Sequence, residues 1–322
     1  MTDLSSFLKL IRFKNLLIIV LIQVLIKFFL INAYLINSAI NLSNIDFSIY
    51  LFALIAIVAG GYIINDIYDI EIDKINKPET RIIEKKIRKQ SAIKAYYMLN
   101  FIGIASGFYA AYQVNRWWFG FIFIFFAFSL WRYSKNYKTA FLIGNLQVAF
   151  LTALSIITLA LFDLIPVGKK IEDESKIIFY IILFYAGFSF IITLIREIIK
   201  DLEDYDGDKK IGANTLAINY GAANTKKIIA LLILIPIFGI GYFQYFQYID
   251  LSVNFFISES SCWKNFIAAL YTCLLQVLLI ILLIKIRTSY TKSDFYFLST
   301  LCKIIMLIGI LSIPLFHFLD QN

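Results

Sequence analysis

Long apolar blocks recur along the whole chain, separated by shorter polar segments. We count nine of them, at approximately residues 16–36, 47–65, 93–113, 117–134, 139–162, 177–197, 228–248, 264–286 and 297–319. Most have the length of about 20 residues that a helix needs to cross a bilayer. Because a backbone inside the bilayer must satisfy its own hydrogen bonds, these blocks predict helices. The pattern therefore predicts an all-α, polytopic membrane protein with nine transmembrane helices in a bundle, and we expect residues 1–322 to form a single membrane-embedded domain.

The basic residues are distributed unequally between the two sets of connections. The N-terminal tail and the even-numbered connections carry 23 of the 30, the odd-numbered connections carry 5, and Lys27 and Lys303 lie inside apolar blocks. By the positive-inside rule, this asymmetry places the N-terminus in the cytoplasm and the C-terminus on the opposite side of the cell (inner) membrane. A mid-span charge such as Lys27 is a functional hint by default, unless it snorkels to the interface.

The composition agrees with a membrane location, and it argues against a nucleic-acid partner and against cysteine or histidine metal ligands. Hydrophobic residues make up 60% of the chain and charged residues only 16%, which is too little charge to cover a soluble surface of this size. The net charge of +8 follows from the membrane orientation, so it does not indicate a nucleic-acid partner. The three cysteines lack metal-type spacing and His317 lies far from the polar motifs, so none is a candidate metal ligand. The first block is too long for a signal peptide, and no cleavage site follows it.

Two carboxylate clusters stand out in the two longest cytoplasmic connections. Each contains three aspartates at the spacing i, i+3, i+7, namely Asp66, Asp69 and Asp73 in the first cluster and Asp201, Asp204 and Asp208 in the second. On a helix this spacing places three like charges on one face, where they repel each other unless a cation neutralises them. Hard oxygen ligands favour Mg²⁺, which keeps several waters and commonly shares its shell with substrate phosphates. Two matched clusters on one membrane side make simple solvated helix ends a poorer explanation.

Basic residues accompany both clusters. Arg196 and Lys200 fall within one turn of the second cluster, Arg81 follows the first, and Lys138 lies in the connection between blocks four and five. Some of these residues serve only the positive-inside asymmetry. A diphosphate bound through Mg²⁺ nevertheless needs additional positive charge, which lysine and arginine supply.

At these residues the sequence resembles the UbiA superfamily of intramembrane prenyltransferases. The family marker N-D-x-x-D-x-x-x-D is matched from Asn65 to Asp73, and a second D-x-x-D-x-x-x-D run is matched from Asp201 to Asp208. The segments 133–145 and 196–216, with the early Arg12 and Asn15, also fit. The run from Asp73 to Pro78 is most similar to the branch that contains digeranylgeranylglyceryl phosphate synthases and chlorophyll synthases, although that branch commonly has a second proline after the arginine that corresponds to Arg81.

The resemblance implies a fold, a reaction and a set of site residues. It implies nine helices, Mg²⁺ as cofactor, and transfer of a prenyl group from a prenyl diphosphate to a lipophilic acceptor within the lipid membrane, with no obligate protein partner. The implied metal-binding residues are Asn65, Asp66, Asp69, Asp73, Asp201, Asp204 and Asp208. The implied diphosphate contacts are Arg12, Asn15, Arg81, Lys138, Arg196 and Lys200. The implied catalytic residues are Asp69, Tyr133, Lys138 and Asp204.

Alternative functions remain open at this point. Within the enzyme class, the acceptor is a glycerol-phosphate lipid or an aromatic quinone or chlorin precursor. A transporter that uses the aspartates as an ion pathway is the alternative from another class, but transporters place their sites near the bilayer midplane. The positions of these aspartates at the cytoplasmic ends of the spans favour the transferase.

Overall fold

The computed structural model describes residues 4–35, 41–76, 79, 81–165, 173–210, 212–249 and 262–321. Within these residues the regular structure is helical, apart from one isolated bridge between Ile83 and Ile87. We number the helices α1 (Leu4–Leu10), α2 (Phe13–Tyr34), α3 (Asn44–Tyr68), α4 (Ile70–Asn76), α5 (Lys89–Gln113), α6 (Gly120–Arg132), α7 (Ile143–Leu164), α8 (Asp173–Glu203), α9 (Tyr205–Lys210), α10 (Leu216–Ile249), α11 (Cys262–Thr288) and α12 (Lys292–Gln321).

Seven of the described helices, namely α2, α3, α7, α8, α10, α11 and α12, are long and apolar enough to cross a membrane. They confirm the prediction of an all-helical, multi-pass membrane protein. The two remaining predicted spans correspond to α5 and to the segment around α6. Helix α5 carries Lys89, Lys94 and Asn100 among its apolar residues, and α6 has only 13 residues before a π-helical turn replaces it. The described helices therefore do not by themselves confirm the count of nine spans.

The two largest hydrophobic clusters share α7, α8 and α12. One also contains residues of α2, α3, α5 and α6, and the other also contains residues of α10 and α11. Helix α3 makes its most extensive contact with α5. There a Cβ atom on Gly103 would lie 2.8 Å from Ile57 Cγ1 and 3.1 Å from the Ala53 carbonyl oxygen, so the absence of a side chain permits this close packing.

The ends of several helices meet on one side of the bundle. The starts of α2 and α7 lie beside the ends of α3 and α8, which run in the opposite direction. The short helices α4 and α9 follow α3 and α8 directly, and they contact each other. Both aspartate clusters are therefore brought to the same side of the molecule.

Lys27 lies in a π-helical turn of α2 and forms a buried ion pair. Its Nζ donates to Asp163 Oδ2 at 2.5 Å and to the Leu42 carbonyl oxygen at 2.8 Å. The Leu42 N–H donates to the other Asp163 oxygen at 2.9 Å. Since both side chains are almost fully buried, with 1% and 0% exposure, Lys27 is neutralised inside the protein and does not snorkel to the interface.

Candidate functional site

The first aspartate cluster begins at the end of α3. The Asp69 N–H donates to the Asn65 carbonyl oxygen at 3.0 Å, and α4 starts at the next residue, so one short interruption separates the two helices. The Asp69 side chain is buried and accepts a hydrogen bond from Asn65 Nδ2 at 2.7 Å. It also forms an ion pair with Lys138. Asp69 thus joins the first cluster to the connection between α6 and α7.

Asp66, one turn earlier, connects α3 to the start of α2. Its Oδ1 accepts a hydrogen bond from Arg12 Nη2 at 3.2 Å, and the Arg12 guanidinium lies 4.9 Å from the centre of the Tyr62 ring. Asn15 Nδ2 donates to the Tyr62 hydroxyl at 3.4 Å. Arg12 therefore contacts the first cluster, and Asn15 contacts the same tyrosine as Arg12.

Tyr133 and Lys138 lie at the two ends of a π-helical turn after α6. The turn spans Tyr133–Tyr137, and the Lys138 N–H donates to the Tyr133 carbonyl oxygen at 2.9 Å. Gly144, at the start of α7, packs so closely on the Tyr137 carbonyl that an added Cβ atom would overlap it. Backbone packing therefore fixes this turn and directs Lys138 towards Asp69. Single π-helical turns often occur at functional sites.

The second cluster lies at the end of α8, beside a buried glutamate. Glu197 Oε1 accepts from Arg196 Nη1 at 2.5 Å and from Lys200 Nζ at 3.1 Å. Asn145 Nδ2 on α7 donates to Asp201 Oδ2 at 2.9 Å. Hydrogen bonds from amides and ammonium groups stabilise these carboxylates in the half-buried environment.

Asp204 lies between α8 and α9, and Asp208 lies on α9. The Asp208 N–H donates to the Asp204 carbonyl oxygen at 3.0 Å, which continues the helical spacing. The Asp204 side chain is half-buried and has no ion-pair partner in the described part of the chain. The Asn214 N–H donates to the Thr139 carbonyl oxygen at 2.9 Å, so the loop after α9 is attached to the segment of Lys138.

Tyr133 lies in a turn that contacts both α3, which ends at the first cluster, and α7, whose start is hydrogen-bonded to the second. Its side chain is within electrostatic range of Asp69 in the first cluster and of Asp201 and Glu197 at the second. Glu197 and Lys200 are in turn within range of Arg12. Residues that are far apart in the sequence therefore surround one polar region at the ends of α2, α3, α7 and α8.

The contacts described for Arg81 and Asp73 involve only residues near them in the sequence. Arg81 Nη1 lies 3.9 Å from Glu84 Oε2, and its Nε and Nη1 atoms are buried without a hydrogen-bond partner among the described residues. Asp73 is half-buried on α4, and its N–H donates to the Asp69 carbonyl oxygen at 2.7 Å. Neighbouring Glu71 is exposed, and the hydrogen bond from Lys74 lowers the pKa of its carboxyl group. The Glu71 carboxylate therefore binds Lys74 at the surface.

Sequence reasoning gave no role to Tyr62, Glu197 and Lys303. Tyr62 contacts both Arg12 and Asn15, but an aromatic residue in an apolar block carries no polar signal of its own. Glu197 was visible as a carboxylate beside two basic residues, and it binds both of them. Lys303 was visible only as a charge inside a span.

The donor set fits Mg²⁺ in its chemistry. The aspartates of both clusters offer only oxygen atoms, Asp204 has no ion-pair partner among the described residues, and cations for phosphate oxygens lie nearby. No group of three His, Cys, Asp or Glu side chains in the described ranges is already arranged around a metal position. Lys138 instead neutralises Asp69 directly. Incomplete protein coordination is typical of Mg²⁺ sites that also use phosphate and water.

An apolar groove lies on the outer face of the same helical end. It has a volume of about 610 Å³ and is lined by α3, α5 and α6, with Ile64, Ile67, Tyr68, Ile93, Tyr96, Tyr97, Asn100, Ile104, Ile124, Ala127, Phe128 and Trp131. Tyr68 directly precedes Asp69, so the groove borders the first cluster. Its lining is mostly apolar and aromatic, which suits an apolar chain.

Helical membrane architecture and paired aspartate clusters define a class of multi-pass proteins with a polar site at one membrane face. Residues 24–301 match the UbiA prenyltransferase family, and the chain belongs to this family. It is 36% identical over 237 residues to the digeranylgeranylglyceryl phosphate synthase of Saccharolobus solfataricus, covering 72% of this chain and 75% of that one. The synthase of Methanocaldococcus jannaschii is 32% identical over 253 residues, covering 75% and 80%. The match to the Sulfolobus acidocaldarius synthase is 35% identical over 182 residues and covers 56% of this chain but only 60% of that protein.

Solved structures agree with the family assignment. The structure is similar, with a TM-score of 0.60 and 26% identity, to one solved in work on digeranylgeranylglyceryl phosphate synthase in membranes, covering 97% of this chain and 98% of the other. A UbiA homologue from Aeropyrum pernix K1 gives a TM-score of 0.59 at 14% identity, covering 91% and 97%, and this likeness concerns the fold alone.

Proposed function

We propose that this protein transfers a prenyl group from an allylic prenyl diphosphate to a lipophilic acceptor, and that the acceptor is a glycerol-phosphate lipid. One observation supports this reaction best. Both aspartate clusters lie in one region together with Lys138, Arg196 and Lys200. The acceptor follows from the similarity to digeranylgeranylglyceryl phosphate synthases. In this proposal residues 1–322 act as one membrane-embedded domain.

The site residues take the roles that the family resemblance implies. Oxygen atoms of Asn65, Asp66, Asp69, Asp73, Asp201, Asp204 and Asp208 hold Mg²⁺ directly or through water. Side chains of Arg12, Asn15, Arg81, Lys138, Arg196 and Lys200 contact the diphosphate. When bound, Mg²⁺ supplies charge neutralisation to the departing diphosphate.

In the reaction, the bond between the prenyl carbon and the diphosphate oxygen breaks. The acceptor hydroxyl oxygen forms a new bond to that carbon, and its proton passes to the released diphosphate. Lys138 and Arg196 stabilise the charge that develops on the leaving oxygen, since preorganised cations in a half-buried site act more strongly than in water. Tyr133, in the turn that precedes Lys138, steadies the prenyl cation or the diphosphate. The prenyl chain extends from there into apolar surroundings, which exclude water from the cation.

Orientation is also part of the proposal. We infer nine spans, with the N-terminus and both aspartate clusters on the cytoplasmic side of the cell membrane and the C-terminus on the other side, because the basic residues follow that division. Reporter fusions at each terminus test it. Reporters active on opposite sides support an odd number of spans, whereas reporters active on the same side refute it.

The direct test of function is diphosphate release by the purified protein with geranylgeranyl diphosphate and a panel of acceptors. We expect release with a prenylated glycerol phosphate when Mg²⁺ is present, no release with chelator, and recovery when Mg²⁺ is restored. Release only with an aromatic acceptor would assign the other acceptor class. Absence of release from folded protein with every acceptor would contradict the enzymatic proposal and favour the transporter.

A further inference from the structure

The apolar groove between α3, α5 and α6 takes no part in the proposed reaction. Two of its lining rings, Tyr97 and Phe128, are 67% and 57% exposed, so the groove is open on the outer surface of the bundle. In a multi-pass membrane protein, the outer surface of apolar helices faces lipid. The volume of about 610 Å³ is in the range of ligand-binding sites. The groove is therefore a candidate binding site for a molecule from the bilayer.

Helix α3 separates the groove from the proposed diphosphate site. Ile64, Ile67 and Tyr68 line the groove, and their spacing of i, i+3, i+4 places them on one face of α3. Asp66 lies two residues before Tyr68, on the opposite face, where it accepts a hydrogen bond from Arg12. A molecule in the groove consequently does not lie among the reacting groups.

The groove extends over about one leaflet of a bilayer. On α5 its lining runs from Ile93 to Ile104, which corresponds to a rise of about 17 Å along the helix. The hydrocarbon core of a bilayer is about 30 Å thick, so this length is close to half of it. Tyr96, Tyr97 and Trp131 line the end nearer the polar site, as is usual for aromatic rings at a membrane interface. These dimensions fit one chain of a lipid in that leaflet.

Two lysines lie at the interface end of the groove. The Lys135 ammonium is exposed and lies 5.0 Å from the centre of the Trp131 ring. Lys89 is the first residue of α5, and it lies on the groove face one turn before the first lining residue. Neither lysine makes an ion pair in the described part of the chain. Glu71, which is within electrostatic range of Lys89, already accepts a hydrogen bond from Lys74.

We propose that the groove binds one anionic phospholipid of the leaflet nearer the polar site. One chain of the lipid lies between α3, α5 and α6, and its phosphate lies at Lys135 and Lys89. The apolar lining removes the chain from contact with water and headgroups, and the lysines attract an anionic headgroup more than a zwitterionic one. This binding does not depend on the proposed reaction, and neither does its test.

Trp131 provides a local probe of the groove. The chain has three other tryptophans, namely Trp117, Trp118 and Trp263, which are all exposed and do not line the groove. Replacing these three with phenylalanine in the full-length protein leaves Trp131 as the sole tryptophan. This protein is reconstituted into phosphatidylcholine vesicles with increasing fractions of phosphatidylglycerol or phosphatidylcholine whose chains are brominated, because bromine quenches tryptophan fluorescence on contact. We expect phosphatidylglycerol to bind at least about fivefold more tightly, the factor for one lysine beside an anionic headgroup.

Two substitutions in this background separate the headgroup from the chain. Lys135→Gln should remove most of the preference for phosphatidylglycerol, and Lys89→Gln should also weaken it, because each removes a cation at the headgroup. Ala127→Phe should reduce the quenching by both lipids, because the added ring fills the groove. Lys292→Gln is the matched control, since Lys292 is an exposed lysine on α12, and it should change neither result.

Three outcomes would overturn the proposal. One is equal binding of the two lipids to the groove without these substitutions. Another is a preference for phosphatidylglycerol that both lysine substitutions leave intact. The third is quenching that Ala127→Phe leaves unchanged, which would place the lipid outside the groove.

Discussion

At the scale of single residues, the two lysines inside apolar blocks have different surroundings. Lys27 is paired with Asp163, from which it is separated by 136 positions in the sequence, and both side chains are sealed from solvent. Lys303 is half-buried on α12 and has no ion-pair partner among the described residues. The Lys27–Asp163 pair joins α2 to α7 and neutralises both charges inside the protein.

The Lys27–Asp163 pair gives a prediction about stability. Lys27→Met leaves the Asp163 carboxylate buried without its counter-ion, so we expect a loss of about 3–5 kcal/mol in the free energy of unfolding. The double variant Lys27→Met with Asp163→Asn removes both charges and keeps an acceptor for the Leu42 N–H. Thermal unfolding in detergent should show a lower midpoint for the single variant and partial recovery in the double variant. Equal destabilisation of both variants would show that the charges are not coupled.

At the scale of elements, the π-helical turn Tyr133–Tyr137 shapes the site. It contacts α3 and α7, and Lys138, which follows it, reaches Asp69 at the end of α3. The turn can take this position because Gly144 has no side chain to meet the Tyr137 carbonyl. Local backbone packing, rather than any contact of Gly144 with a substrate, therefore positions the lysine.

Gly144→Ala tests this positioning. The added methyl group overlaps a backbone oxygen, which cannot move aside as a flexible side chain would, so the turn must shift and separate Lys138 from Asp69. We expect turnover to fall by at least about tenfold while the protein remains folded, since a misplacement of about 1 Å can cost up to 100-fold. Gly187→Ala in α8 is the control, because its Cβ atom would meet nothing within 4 Å. Full activity in Gly144→Ala would refute the positioning role.

The sequence predicted the elements better than it predicted their contacts. The apolar blocks were sufficient to predict a helical, multi-pass membrane protein. The two aspartate spacings predicted a shared polar site, which stays a prediction, as does the count of nine spans. They could not identify the pairs Asp69–Lys138 and Lys27–Asp163, because those contacts depend on how distant helices pack. They also did not indicate the π-helical turn after α6, since a turn with one extra residue leaves the pattern of apolar residues almost unchanged.

At the scale of the whole molecule, the bundle acts as a frame that brings distant helix ends together. Helix α8 is central because it packs in both hydrophobic clusters and carries Arg196, Glu197, Lys200 and Asp201 at its end. The first cluster reaches the same region through α3, and the short helices α4 and α9 contact each other. The proposed diphosphate site uses both clusters, because Lys138 reaches Asp69 of the first and Asn145 reaches Asp201 of the second at the same end of the bundle.

The most direct test of this claim is Mg²⁺-dependent turnover of prenyl diphosphate by Asp69→Ala and by Asp204→Ala, one variant from each cluster. We expect either substitution to abolish turnover, while both variants remain folded and extractable. The exposed neighbours provide controls, and Glu71→Gln and Asp206→Asn should retain activity. Wild-type activity in either alanine variant would contradict a site that depends on both clusters.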